Sequence, residues 1–125
     1  MLTYAQKKYL FAIFRLENKG GPVNSSDVSR LVGVTKASTV KMTRRLVEEG
    51  YILKEPYGKI LLTEEGARAA SSLFTSSTIL CDFLRNKVGI DGQDADADAV
   101  KIVAQVSEDT VKKLVKYALG DAANA

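Results

Sequence analysis

Residues 25–66 read SSDVSRLVGVTKASTVKMTRRLVEEGYILKEPYGKILLTEEG, and the order of local signals within them decides the fold. Ser25 or Ser26 can cap a helix with Asp27 in its first turn, where a carboxylate meets the positive end of the helix dipole. Val28, Leu31 and Val32 recur at helical spacing and mark the inward face of that helix. Gly33 ends it, and Thr35 opens a further helix that runs to about Glu49 and closes at Gly50. Two short helices joined by a glycine-containing turn form a helix-turn-helix. Tyr51 to Lys54 and Lys59 to Leu62 are strand-like runs separated by Glu55-Pro56-Tyr57-Gly58, whose proline and glycine form turns. Helix, turn, helix and then a hairpin is the order of a winged helix.

The helix opened by Thr35 has two chemically distinct sides. Thr39, Thr43, Leu46 and Val47 share an inward face, with Val40 and Met42 at its edges. Lys36, Ala37, Ser38, Lys41, Arg44 and Arg45 point outward. Small residues at the helix start allow close approach to base edges, while the Thr35 and Ser38 hydroxyls and the free amides of the first turn suit phosphate oxygens. Lys41 and Arg45 can reach guanine edges or phosphates. Ser25 and Ser26 at the preceding helix start, and Tyr57 and Lys59 at the wing, complete the expected DNA-facing set. The plainer alternative is a solvated helix face and a hairpin packed only on its own domain.

Charge agrees with a polyanion-facing first half. Residues 1–68 hold 12 Lys and Arg against 7 Asp and Glu, and residues 69–125 hold 6 against 8, within a net charge of +3. Upstream, Tyr4, Leu10, Phe11, Ile13, Phe14 and Leu16 form a first amphipathic helix from Thr3, a possible cap, to the Gly20-Gly21 stop. Downstream, Thr63-Glu64-Glu65 starts a fourth helix whose apolar pattern runs through Leu73, Leu80 and Leu84 to Val88. Residues 89–92 read as a loop. A fifth stripe (Ala95, Ala99, Ile102, Val103, Val106) and a sixth (Val111, Leu114, Val115, Ala118, Leu119), capped by Ser107, follow before Gly120. The expected class is mainly α: a winged-helix domain over 1–66, a helical dimerisation region over 67–120 and a flexible tail over 121–125. Leu73, Leu80, Leu84, Val103, Val111 and Leu114 are the expected dimer-facing side chains, because these stripes exceed what one wing domain can cover.

Whole classes of chemistry fall away. With no histidine there is no Ser-His-Asp or Cys-His nucleophile and no imidazole-ligated metal, so an enzyme is not expected. Cys81 cannot form an intrachain disulfide and reads as a small buried filler rather than a redox sensor. Asp94, Asp96 and Asp98 resemble a calcium loop, but Ala99 stands where the loop needs glycine and Gln105 where it needs glutamate; they read as acids at the positive end of a helix. There is no apolar run long enough for a membrane span and no signal-peptide order at the start, which points to the cytoplasm and to no membrane partner.

The chain resembles the metal-dependent repressors of the diphtheria toxin repressor and manganese transport regulator family. The resemblance runs from about Leu2 to Leu119. It is closest in Gly21-Pro22-Val23 through Ser26-Asp27-Val28, in Val34 to Leu46, and in Glu55-Pro56-Tyr57-Gly58 through Leu62-Thr63-Glu64-Glu65-Gly66. It implies a winged helix, a two-fold dimer, base contacts from the third helix matching Ala37, Ser38 and Lys41, and a divalent metal that favours operator binding. The metal positions depart from the family. They fall at Lys8, Phe11 and Ser77 and near Val100, Val103 and Ala104, none of which is a carboxylate, thiolate or imidazole. The expectation is a homodimeric regulator of double-stranded DNA, a repressor by resemblance, with the metal switch lost, no cofactor and no predictable small-molecule effector. The competing expectation is a winged helix used for protein–protein contact in a transcription or chromatin assembly.

Overall fold

The computed structural model describes residues 2–120, so the expected tail at 121–125 lies outside the described residues. The elements run α1 (Tyr4–Asn18), α2 (Ser25–Val32), α3 (Lys36–Glu48), β1 (Ile52–Lys54), β2 (Ile60–Leu62), α4 (Glu64–Phe83), a π-helical turn (Leu84–Val88), α5 (Gly92–Gln105) and α6 (Glu108–Ala118). The chain divides into two compact units after Ser71.

In the first unit α1 supplies the centre of the core. Thr3 accepts a hydrogen bond from the Gln6 N–H while the Gln6 side chain accepts from the Thr3 N–H, a capping box that fixes where the helix begins. Tyr9, Leu10 and Ile13 then bury against Val28 of α2, Leu46 of α3, Ile52 and Ile60 of the hairpin, Val23 and Ala70. Asn24, one residue ahead of the expected serines, caps α2 by accepting from the Asp27 N–H at 2.9 Å. Gly33, at φ +83°, makes the turn into α3, a left-handed conformation that a side chain would strain.

The hairpin is short and antiparallel, with Leu53 opposite Leu61. A bridge from Val23 to Ile60 adds a third extended segment along β2, the Ile60 N–H donating to the Val23 carbonyl at 2.8 Å. The wing is fastened at its base through Tyr51 and Thr63. The Thr63 N–H donates to the Tyr51 carbonyl, and the Thr63 hydroxyl donates to the Gly50 carbonyl while accepting from the Gly66 N–H. Gly66 is required there, since a Cβ would stand 1.9 Å from the Tyr51 carbonyl oxygen.

In the second unit Leu80 of α4, Ala99 and Val103 of α5 and Val111 of α6 form the buried centre, with Leu73, Cys81, Leu84, Ile102, Val106, Val115 and Ala118 partly buried around it. Phe83 meets Tyr117 edge to face at 5.9 Å. The expected fourth helix keeps its regular form to Phe83 and then widens into the π turn, which Gly89 closes at φ +87°. Residue 92, expected in a loop, is the first of α5, because Asp91 caps the helix there. Among the described residues no helix is long and apolar enough to cross a membrane.

Gly66→Ala tests the wing anchor. The Tyr51 carbonyl is backbone and cannot swing aside as a side chain could. The substitution should therefore destabilise the chain by at least 1–3 kcal/mol, roughly the overpacking range, read as a lower urea midpoint in a circular-dichroism titration. An unchanged midpoint would show that the approach at Tyr51 is not close.

Candidate nucleic-acid interface

The buried side of α3 determines what its other side presents. Thr39 and Thr43 lose essentially all exposure, as does Leu46, and Met42 packs at the core edge. The two hydroxyls remain satisfied. Ser29 of α2 donates to Thr39 Oγ1 at 2.7 Å, Thr39 donates to the Thr35 carbonyl, and Thr43 donates to the Val40 carbonyl. A buried hydroxyl pair thereby fixes α3 on α2, and an unmade bond there would cost about 1–3 kcal/mol. Val47, expected on this face, is 38% exposed, and Leu31, expected inward on α2, is 44% exposed. Each sits at the edge of a narrow buried arc, beyond the residues its helix actually covers.

The residues expected to face DNA are distributed unevenly. Thr35, Lys36, Ala37, Ser38, Lys41, Arg44 and Arg45 are exposed, and Ser25 and Ser26 are half-buried at the start of α2. Ala37, Lys41 and Arg44 share one stripe at i, i+4 and i+7 directly opposite the core. Thr35 caps the helix by accepting from the Ser38 N–H at 3.1 Å and donates to Ser38 Oγ at 3.0 Å. This leaves the Lys36 and Ala37 N–H groups without intrahelical acceptors. Lys36, Lys41 and Arg44 form no ion pair among the described residues. Arg45 differs from them, its Nε donating to Glu49 Oε2 at 2.9 Å.

At the wing the tip is Glu55-Pro56-Tyr57-Gly58, closed by the Gly58 N–H donating to the Glu55 carbonyl at 2.9 Å. Tyr57 is fully exposed and Lys59 is exposed beside it. A flat amphipathic ring and a cation on a rigid turn suit a nucleic-acid backbone. Sequence reasoning missed the side chain that engages Arg45 and the amide behind it. Gln6 of α1, wholly buried, donates Nε2 to the same Glu49 oxygen at 2.8 Å. The capping-box spacing of Thr3 and Gln6 was a signal for the local bond, but nothing in the sequence linked Gln6 to Glu49.

The side chains expected to face a dimer partner differ in exposure. Leu80, Val103 and Val111 are buried in the core of the second unit, with Leu73 and Leu84 partly buried against it, so of the six only Leu114 is exposed. The apolar side chains exposed in that unit are Phe74, Val88, Leu114, Tyr117 and Leu119. Among the described residues no three His, Cys, Asp or Glu side chains gather as metal ligands.

Residues 1–60 match the family described as "Iron dependent repressor, N-terminal DNA binding domain". The chain is 25% identical over 111 residues to an HTH-type transcriptional regulator of Methanocaldococcus jannaschii, covering 89% of this chain and 86% of that protein. It is 27% identical over 120 residues to the HTH-type transcriptional regulator MntR of Bacillus subtilis, covering 94% and 84%. A solved manganese-dependent transcriptional repressor in complex with manganese superposes with a TM-score of 0.80 at 22% identity. That match covers 93% of this chain and 53% of that one, so the chain spans about half the length of that repressor. These relatives are transcriptional regulators, not enzymes. The first 60 residues thus match the DNA-binding domain of iron-dependent repressors, and the whole chain is similar to HTH-type transcriptional regulators, with a winged helix-turn-helix followed by a helical region.

Proposed function

We propose that the chain is a homodimeric, cytoplasmic repressor that binds a specific double-stranded DNA site through α3 and the wing, without a metal switch. The observation that carries this reading is the outer stripe of α3. Ala37 leaves room at the helix start, and Lys41 and Arg44 follow it as cations without an ion pair among the described residues, directly opposite the buried Thr39, Thr43 and Leu46. In this reading Lys41 and Arg44 reach base edges or phosphates. The Lys36 and Ala37 amides and the Ser38 hydroxyl meet a phosphate, and Tyr57 and Lys59 follow the backbone. A two-fold dimer would set its two reading helices about 34 Å apart, one DNA turn, and prefer a near-palindrome.

The residues at the family's metal positions do not fit a divalent cation. Lys8 is itself cationic and lies over the Tyr4 ring at 5.3 Å. Phe11, Val103 and Ala104 are buried apolar side chains, Val100 is aliphatic, and Ser77 donates its hydroxyl to the Phe74 carbonyl at 2.9 Å. A hard or borderline cation needs carboxylate, thiolate or imidazole donors, which these side chains do not supply. The second copy would cover the apolar side chains that the second unit leaves exposed, Phe74, Leu114, Tyr117 and Leu119 among them.

One observation favours a second reading. Val40, Val47 and Leu53 are exposed on the winged-helix unit, an apolar component that suits a protein partner. Salt separates the two readings, since phosphate contacts weaken steeply with it and apolar burial does not.

Three outcomes are expected. A duplex recovered from a random pool should bind with a steep salt dependence, and Lys41→Ala with Arg44→Ala should weaken it at least tenfold, lowering the salt slope by up to about 1.8 for two lost phosphate contacts. Recovery of no duplex, or a double variant that binds like the parent, would remove α3 from the DNA-reading role. Anisotropy in EDTA and in added Mn²⁺ should give the same affinity; binding that requires Mn²⁺ would overturn the metal-independent reading. Leu114→Asp with Tyr117→Asp should shift sedimentation from dimer toward monomer with the helical content retained, whereas an unshifted dimer would place the interface elsewhere.

A further inference from the structure

Glu49 occupies an electrostatically poor place. It is the C-cap of α3, where the helix dipole is negative, and it follows Glu48. Two donors hold it there through one oxygen. Gln6 Nε2 reaches Glu49 Oε2 at 2.8 Å and Arg45 Nε reaches the same atom at 2.9 Å. Gln6 has no exposed surface, and its other end is engaged, Oε1 accepting the Thr3 N–H at 2.9 Å. The amide is therefore fixed by burial and by the capping box, and it fixes the carboxylate in turn.

An exposed Arg–Glu pair alone is a weak and mobile contact. Here a buried amide has already ordered the carboxylate, so Arg45 meets an acceptor held in position. Arg45 lies on the same stripe as Ser38 and Lys41, one turn toward the C-terminus from Lys41. Free, it would extend the cationic stripe toward a further phosphate. Paired, it is locally neutral, and bringing it to DNA releases no counterion.

We propose that Glu49, anchored by the buried Gln6, withholds Arg45 from the DNA phosphates and so sets how many cations of α3 engage the duplex. This rests on the DNA-binding reading above. Glu49 is a positioning residue, acting through Arg45 and touching no DNA, and its carboxylate oxygen stands in for the phosphate oxygen that Arg45 would otherwise bind.

The test is a two-residue cycle read by anisotropy on a fluorescein-labelled 30-base-pair duplex of random sequence, between 50 and 200 mM salt. Glu49→Ala should tighten binding at low salt and steepen the slope by about 0.9, one phosphate, so that affinity falls about 3.5-fold more across that range than in the parent. Arg45→Ala alone should leave the slope unchanged, and Arg45→Ala with Glu49→Ala should restore the parent slope. Glu49→Gln, which keeps the shape and removes the charge, should steepen the slope in the same direction should the alanine variant lose structure by circular dichroism. Equal steepening from Glu49→Ala with and without Arg45 would make the effect a general loss of negative charge and overturn the proposal. A drop of about 0.9 for Arg45→Ala alone would also overturn it, since Arg45 would already be on the DNA. A parent with no salt-sensitive binding overturns the DNA reading itself, which the other two outcomes leave standing.

Discussion

The seating of α3 is the constraint on which the rest depends. A helix of 13 residues in a small unit has one side for its core and one side for a partner, and no residue serves both. Leu46 supplies the apolar contact, while Thr39 and Thr43 fill the rest of the buried arc with β-branched side chains whose hydroxyls return to backbone or to Ser29. Threonines in place of valines orient the helix as well as burying it, because the Ser29 to Thr39 bond is directional. Rotation of α3 by one residue would break that bond and bury Lys36 or Arg44. The exposed stripe of Ala37, Lys41 and Arg44 is thus defined by what lies behind it.

The same logic explains why much of the winged helix was legible in the sequence. Thr3, Thr35 and Ser107 cap their helices, Gly33 and Gly50 stand at left-handed turns, and the wing lies where its proline and glycine put it. These are local signals acting over three or four residues, and local physics settles them. Two misplacements are local shifts of a helix start, the α2 cap at Asn24 rather than Ser25 or Ser26 and the start of α5 at Gly92, and the others are matters of what covers a face. Leu31 and Val47 carry the right period, but a period defines the centre of an arc and not its edges. Leu80, Val103 and Val111 were legible as apolar stripes, yet a stripe does not state whether its cover comes from the same chain or from another. The π turn at Leu84–Val88 and the Gly66 to Tyr51 approach depend on backbone paths that no side-chain pattern encodes.

The two units divide the chemistry between them. The first carries most of the positive charge and a core tied together by α1, which reaches α2, α3 and β2. The second buries only a small centre and leaves Phe74, Tyr117 and Leu119 in solvent. Small cores leave little surplus after conformational entropy is met, so a unit of this kind gains from any cover over its remaining apolar surface.

Charge along α3 gives the helix a direction. Lys36, Lys41 and Arg44 occupy its first nine residues, and Glu48 and Glu49 follow at the end where the dipole is already negative. Acids placed there oppose the dipole by about 0.3–1 kcal/mol each, a cost that the bonds from Arg45 and Gln6 offset at Glu49. Its consequence is a gradient in which the amides, the dipole and the free cations all favour a polyanion at the start of α3 and the carboxylates disfavour one at its end. In the proposed complex a duplex is drawn to the start of the helix, where Ala37 permits close approach, and the last turn is held off. Gln6 and Glu49 sharpen that gradient by neutralising Arg45, the one cation that would have blurred it.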